Sequence, residues 1–252
     1  TRIAKASMLF GQTNELYERA LASHEKHNEM HGYPSSVLRH SVTTGYWNKI
    51  SYLMSLIVLE LGKPKDERLE WHDASTILLN PFIPLPVFLP PADPQYDAIN
   101  FIGSRRFGEL DSSVFFVRVA PWSVKLLVKA MAIPLIDELA ELGPVTSAGR
   151  ELGTIDGTAL AFILNETEFK SGALYEPRHW FNPHSQAKQG DQKPVQAPHF
   201  EGSHGSLLAV FPGQLQGSRW KQMADCLSDV ADAAWERPYE QTRYPAEIKE
   251  FW

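Results

Sequence analysis

Residues 114–119 read VFFVRV, a near-continuous run of β-branched and aromatic side chains. A strand with one face in water alternates apolar and polar residues, so an unbroken run marks a strand covered on both faces. Helical and extended patterns alternate around it. Residues 3–10 (IAKASMLF) predict a strand ending at Gly11, and residues 14–30 a helix with Glu15 and Arg19 spaced i,i+4. A second helix is predicted over 47–61 and a short strand over 69–71, leading into His72-Asp73-Ala74-Ser75-Thr76. Further helices are predicted over 122–132, with Lys125 and Lys129 on one exposed line, and over 156–164. Strands follow over 173–175 and 206–211, then an amphipathic helix over 222–235 with Met223, Leu227, Val230 and Ala234 on one face. This order predicts an α/β fold, a mostly parallel central sheet flanked by helices. Ligands of such sheets bind beyond the carboxyl ends of the strands, which points to three places: after Phe10, after Trp71 and after Phe211.

Proline breaks the alternation twice, over residues 81–94 (PFIPLPVFLPPADP) and 177–198. That density excludes helix interior and central strand, so both stretches read as ordered loops. Residues 186–198, polar and rich in Gln, Lys and Gly, read as a mobile flap. No internal repeat divides the 252 residues, a length that suits one large α/β domain or two small ones.

Composition removes several classes of function. A net charge of −6 argues against a nucleic-acid binder, which carries a basic excess. A single cysteine, Cys226, excludes an intramolecular disulfide and reads as a core residue of the last predicted helix. The longest apolar stretch, residues 53–61 (LMSLIVLEL), is half a membrane span and contains a Glu. The chain starts on Thr1, the expectation for a fragment or processed form.

Most candidate motifs fail on spacing. His24, His27 and His31 share one helical face at i, i+3 and i+7, but the zinc-protease pattern places its histidines four apart with Glu beside the first. They read as a packed or solvated face. Gly143, Gly149 and Gly153 are not followed by Gly-Lys-Ser/Thr, and GSHGS (202–206) has His where a nucleophile elbow needs Ser. Asp73 differs, because it stands where a buried strand runs out. As structure it caps the next turn; as chemistry it holds a hard divalent cation against phosphate oxygens. Periodicity leaves both readings open.

A set of short motifs runs in order along the chain: His31-Gly32-Tyr33-Pro34, Tyr46-Trp47-Asn48-Lys49, EWHDASTILLNP (70–81), VFFVRV with Pro121-Trp122-Ser123, and Pro177-Arg178-His179-Trp180-Phe181-Asn182. Together they resemble the fungal galactosyl/mannosyltransferases of glycosyltransferase family 34, whose plant members are xyloglucan xylosyltransferases. The resemblance covers nearly the whole chain. It implies a single GT-A domain over residues 1–252, a Rossmann-like sheet binding a nucleotide sugar with Mn²⁺ held by an Asp-x-Asp motif. It implies transfer of galactose or mannose, from UDP-galactose or GDP-mannose, to a glycan acceptor with retention of configuration. It also implies a Golgi luminal domain on a type II anchor, and hetero- or homo-oligomers with other glycosyltransferases. By position, Asp73 matches the first metal Asp and Asp156 the family's Asp-Gln pair near the reacting sugar. Gly11, Lys49, Ser75, Asp111, Arg118 and Arg219 fall at or near the nucleotide-sugar site.

The chain departs from the family in four active-site segments. The second metal Asp is Ser75, and the motif comes about three residues early. Asn-small-Gly before the Phe-rich strand is Asp111-Ser112-Ser113. The Asp-Gln pair reads Asp156-Gly157, and the family's metal-binding His is replaced in Ala209-Val210-Phe211-Pro212-Gly213. Fewer protein ligands predict weaker Mn²⁺, since phosphates supply the remaining oxygens. His199 or His204 could substitute by bending back, though both read first as exposed loop histidines. Two functions compete: an active hexosyltransferase, or a degenerate member serving as a non-catalytic subunit of a glycosyltransferase complex. A lectin-like module, suggested by seven Trp and eight Tyr, is weaker because rings such as Trp122 and Trp235 fit a core. The sequon Asn165-Glu166-Thr167 is usable only in a luminal protein.

Overall fold

A sheet that carries VFFVRV at its centre organises residues 1–10, 35–72 and 90–177. The computed structural model describes residues 2–11, 14–63, 67–136, 146–147, 150–151, 155–186, 199–212 and 216–252. Its strands include β1 (Arg2–Met8), β2 (Ser35–Leu38), β3 (Glu67–His72), β4 (Thr76–Leu78), β5 (Phe101–Arg106) and β6 (Glu109–Arg118). Its first helices are α1 (Glu15–Ser23), α2 (Glu25–His31), α3 (Trp47–Glu60), α4 (Pro121–Ile136) and α5 (Ile155–Leu164). The chain divides into two compact units, residues 1–10, 35–72 and 90–177, and residues 11–34, 73–89 and 178–252.

The first unit contains a six-stranded sheet in the order β2-β1-β3-β6-β5, closed by the strand Ala173–Glu176. β1 is parallel to β2 and β3, and β5 is parallel to Ala173–Glu176, while β6 runs against both of its neighbours. The expected α/β class and mostly parallel sheet are therefore present. Ala6, Leu69, Trp71, Phe101, Phe115 and Val117 pack with Ile50, Leu53 and Ile57 of α3, Leu126, Leu127 and Ala130 of α4, and Leu160 and Ile163 of α5. Successive side chains of a strand face opposite ways. Ile3, Lys5 and Ser7, then Arg68, Glu70 and His72, then Val114 and Phe116 occupy the other face, and all are buried. That face combines burial with charge, so its polar groups need partners.

In the second unit, β4 pairs antiparallel with the strand Leu208–Val210. Ala20 of α1, Ile77, Leu79, Ala209, Phe211 and, from the helix Gln216–Ala231, Met223 and Leu227 form its core. A ring cluster of Phe88, Trp180, Phe181 and Tyr244 is tied by the Tyr244 hydroxyl, which donates to Trp180 O at 2.8 Å and accepts from Leu207 N at 2.9 Å. Among the described residues, no helix is long and apolar enough to cross a membrane.

Several elements depart from expectation. The helix expected over 14–30 is two helices that meet at His24, with the Asn14 side chain capping the first by accepting from Leu16 N. Ser23 accepts from Leu78 N and His24 lies 3.3 Å from Thr76 O, so the junction docks on β4. The last predicted helix starts earlier and ends at Ala231. The strand predicted after residue 205 belongs to a separate two-stranded sheet, so Phe211 does not end a strand of the main sheet. Asp111-Ser112-Ser113 lies inside β6 rather than before it, beyond a register shift opposite Ile102 and Ser104. Arg178–Phe181 forms one helical turn within the second proline-rich stretch. The flap expected over 186–198 lies outside the described residues from 187 onward.

The three histidines are structural. His27 Nε2 lies 2.8 Å from Ile83 O and His31 Nε2 lies 2.8 Å from Pro81 O. A ring nitrogen facing a carbonyl must carry the proton and donate. His27 also packs edge-on to His31 and Tyr33 at 4.8 and 5.1 Å, and Tyr33 Oη accepts from Leu85 N. The proline-rich loop is ordered because this helix face supplies its donors and packing. His27→Ala leaves a buried carbonyl unpaired beside a cavity and should cost about 2–3 kcal/mol, read as a lowered urea midpoint with unchanged slope.

Candidate functional site

In the first unit, α3 presents Lys49 to the sheet. Its ammonium lies 3.2 Å from Asp156 Oδ2 in the first turn of α5. It also donates to Ser112 O at 3.0 Å and stands 5.2 Å from the centroid of Trp71 and 6.0 Å from that of Phe115. The two side chains are only 4% and 3% exposed. Desolvating both charges is costly, so such a pair survives only with good geometry and further hydrogen bonds. Ser112 O supplies one, the two rings add cation–π attraction, and the α5 N-terminus favours the carboxylate.

The structure thus brings Lys49, Asp156 and the Asp111-Ser112 segment together from three distant parts of the chain. Asp111 is buried and its Oδ1 accepts from Ser113 N at 3.3 Å. It pairs in register with Ser104, which in turn pairs with Glu176, so the three side chains share one sheet face. Arg118 is not brought to this edge. It pairs with Arg68 at the start of β3, the amino end of the parallel strands, and donates to Asp97 O at 2.7 Å. Because β6 is antiparallel, its last residue sits at the end opposite to Asp111.

The polar face of the sheet holds residues that the sequence reading missed. Lys5 and Glu70 are register partners, and Glu70 Oε2 lies 3.0 Å from His72 Nδ1. Ser7 donates to His72 O at 2.7 Å. Burial pushes the Glu70 carboxyl up, but His72 and then Lys5 outweigh it and hold it below the usual carboxylate range. Burial pushes the Lys5 ammonium down to about 8, against the opposing pull of Glu70. The period-two spacing of Arg68, Glu70 and His72 against Leu69 and Trp71 was the available signal. Glu176 was also missed. It is buried, neither oxygen accepts a hydrogen bond from the described residues, and burial raises its carboxyl well above the ordinary range.

In the second unit, Asp73 and Ser75 are half-buried, and Asp73 O accepts from Thr76 N at 2.9 Å in a tight turn. Thr76 pairs with Val210, and Phe211 N donates to Ser75 O at 3.1 Å, so the Val210 segment runs beside the Asp73 turn. Val210 is fully buried. A bridge pairs Val210 with His184, and Val210 N donates to Pro183 O. His184, not His204, is therefore the histidine whose backbone adjoins Val210; His204 is exposed and stacks on Trp235 at 4.8 Å. Gly11 is exposed at φ +88°, a conformation that favours glycine. The Arg219 guanidinium lies 5.7 Å from the centroid of Tyr17. Among the described residues no three His, Cys, Asp or Glu are grouped to hold a metal. One carboxylate, a neutral hydroxyl and a valine do not fit an Asp-x-Asp and histidine cradle for Mn²⁺.

No protein-family model and no curated protein matches the chain. Solved structures do. A glycosyltransferase involved in glycosylation of the major capsid of PBCV-1 superposes with a TM-score of 0.59 at 14% identity, covering 89% of this chain and 100% of that one. The glycosyltransferase GlyE of Streptococcus pneumoniae TIGR4 gives 0.49 at 8% identity, over 96% of this chain and 66% of that one. The galactosyltransferase LgtC, solved with donor and acceptor sugar analogs, gives 0.45 at 8%, over 90% and 95%. The first of these likenesses establishes the fold as that of a GT-A-type glycosyltransferase. It does not single out the fungal family.

Lys5 offers a pH test with a definite sign. Between about 8 and 10.5 the unfolded chain holds a proton on Lys5 that the folded chain has shed. Folding stability therefore rises with pH across that window relative to a Lys5→Met variant, which lacks the group. Urea unfolding of both proteins at several pH values should show the advantage of the Met variant shrinking as pH rises.

Proposed function

We propose that the chain is a nucleotide-sugar-dependent glycosyltransferase, moving galactose or mannose from UDP-galactose or GDP-mannose to a glycan acceptor with retention of configuration, as in family 34. The observation that carries this reading is the buried Lys49–Asp156 pair anchored on Ser112 O, in a fold shared with solved glycosyltransferases. Departure of a nucleoside diphosphate builds negative charge on its phosphate, and a preorganised cation stabilises it. Lys49 is such a cation, already desolvated and oriented. Asp156 balances it at rest and offers carboxylate oxygens to sugar hydroxyls. Asp111 adjoins the Ser112 anchor in sequence, with its side chain on the sheet face of Ser104 and Glu176, opposite that of Leu110.

The residues around Asp73 do not fit a full Mn²⁺ cradle. Weak binding, with Asp73 as one ligand and phosphates as the rest, remains part of the proposal. A Golgi luminal location on a type II anchor belongs to it too, supported by the exposed Asn165 of the sequon after α5. A second reading, a non-catalytic subunit of a Golgi glycosyltransferase complex, is favoured by Ser75, Gly157 and Val210 standing in place of the family's polar residues.

Purified protein with UDP-galactose or GDP-mannose and an oligomannoside acceptor, with and without Mn²⁺, should release UDP or GDP. Asp156→Asn should lower that release by about 10²-fold while calorimetry still detects the nucleotide. Tight Mn²⁺–nucleotide binding in the parent contradicts the second reading. Absence of both binding and release with every donor contradicts the first reading, and nucleotide affinity created by Ser75→Asp together with Val210→His then selects the second.

A further inference from the structure

The second unit contains a cavity of about 170 Å³ that no part of the transferase reading uses. Its lining includes Leu79, Ala209 and Phe211, all buried, with the rings of Phe200 and Trp235 5.4 Å apart at 82°. The helix Gln216–Ala231 supplies Gln222, Asp225, Cys226 and Asp229. Those positions are spaced i, i+3, i+4 and i+7, so one helical face borders the space. The site is an apolar, aromatic chamber with exposed carboxylates at its edge.

The edge is net acidic, with Asp225, Asp229 and Asp232 against Lys221. Asp229 lies in the last turn of the helix, where the negative end of the dipole disfavours acids, and the last turn carries no basic residue. Asp225 lies a little under two turns before the end and Asp232 one residue past it, both exposed. The opposing cation is Lys221, 2.7 Å from Asp225, in a pair whose side chains are 77% and 62% exposed. So open a pair is screened and readily exchanged. Burial, and then Asp229, push the Cys226 thiol up to about 12, so it stays protonated at neutral pH.

We propose that this cavity receives a lysine or arginine side chain of a polypeptide partner. The methylene stem lies on Leu79, Ala209 and Phe211, the Phe200 and Trp235 rings flank it, and the cationic head reaches Asp225 and Asp229. Apolar contact and acidic edge match the two halves of such a side chain. A neutral sugar would gain nothing from the field. The exposed Asp232 carries the acidic surface beyond the cavity, which suits a chain with a neighbouring basic residue better than a free amine.

The test is the indole N–H signal of Trp235, assigned in ¹⁵N-labelled protein by its loss in Trp235→Phe. Butylguanidinium, the peptide Gly-Gly-Arg-Gly-Gly and methyl galactoside are titrated in turn. The guanidinium and the peptide should shift the signal saturably, the peptide more tightly, and both more weakly at high salt. Asp229→Asn, which keeps shape and removes charge, should weaken the peptide about fivefold in a protein whose spectrum is otherwise that of the parent. An absent shift, an Asp229→Asn variant that binds equally well, or an equal response to methyl galactoside would overturn the site. Equal affinity for free butylguanidinium and the peptide would overturn the polypeptide assignment.

Discussion

A lysine ammonium and a carboxylate, almost wholly removed from water, meet at 3.2 Å between two helices that pack on one sheet face. Neither Lys49 nor Asp156 can be buried alone, because an isolated charge in this interior costs several kcal/mol. Their meeting therefore constrains how α3, α5 and β6 come together: the helix carrying Lys49 must point its ammonium at both Asp156 and Ser112 O. The rings of Trp71 and Phe115 surround the cation and tie the same point to the apolar core. In the proposed transferase, a charge already stripped of water needs no reorganisation when a leaving phosphate develops its own.

Much of the fold was legible because its signals are local. VFFVRV fills the part of β6 between two buried faces, and the helix expected over 47–61 differs from α3 by one residue. Other elements were hidden because tertiary contacts override local preference. No proline or glycine marks the break at His24; contacts from Ser23 and His24 to β4 make it. β2 is a four-residue edge strand of mixed polarity, and β5 carries Gly103 and two arginines. Neither has a pattern that separates it from a loop. The Lys5–Glu70–His72 line was invisible as a unit because charged residues in a strand read as solvent-facing until the second face proves buried.

The site shows the same division. Lys49, Asp156 and Asp111 were singled out by position in a motif series, and the fold brings their segments together. Arg118 was drawn to the site by its place in the same series, yet the antiparallel course of β6 carries it to the far edge. At Asp73, the departures seen in sequence have direct structural counterparts: Val210 pairs beside Ser75 in β4's turn and is fully buried, so an apolar side chain fills that position. The histidine adjoining it through the backbone, His184, had no signal of its own in a proline-rich stretch that read as loop.

A double-mutant cycle on the buried pair is the most direct test. Lys49→Met and Asp156→Leu should each lower unfolding free energy by about 3–5 kcal/mol, since each removes one member of a buried ion pair and keeps the other charge buried. The double variant, apolar at both positions, should recover most of that loss, giving a large coupling energy. Additive losses, with the double variant as unstable as the two singles summed, would contradict the account.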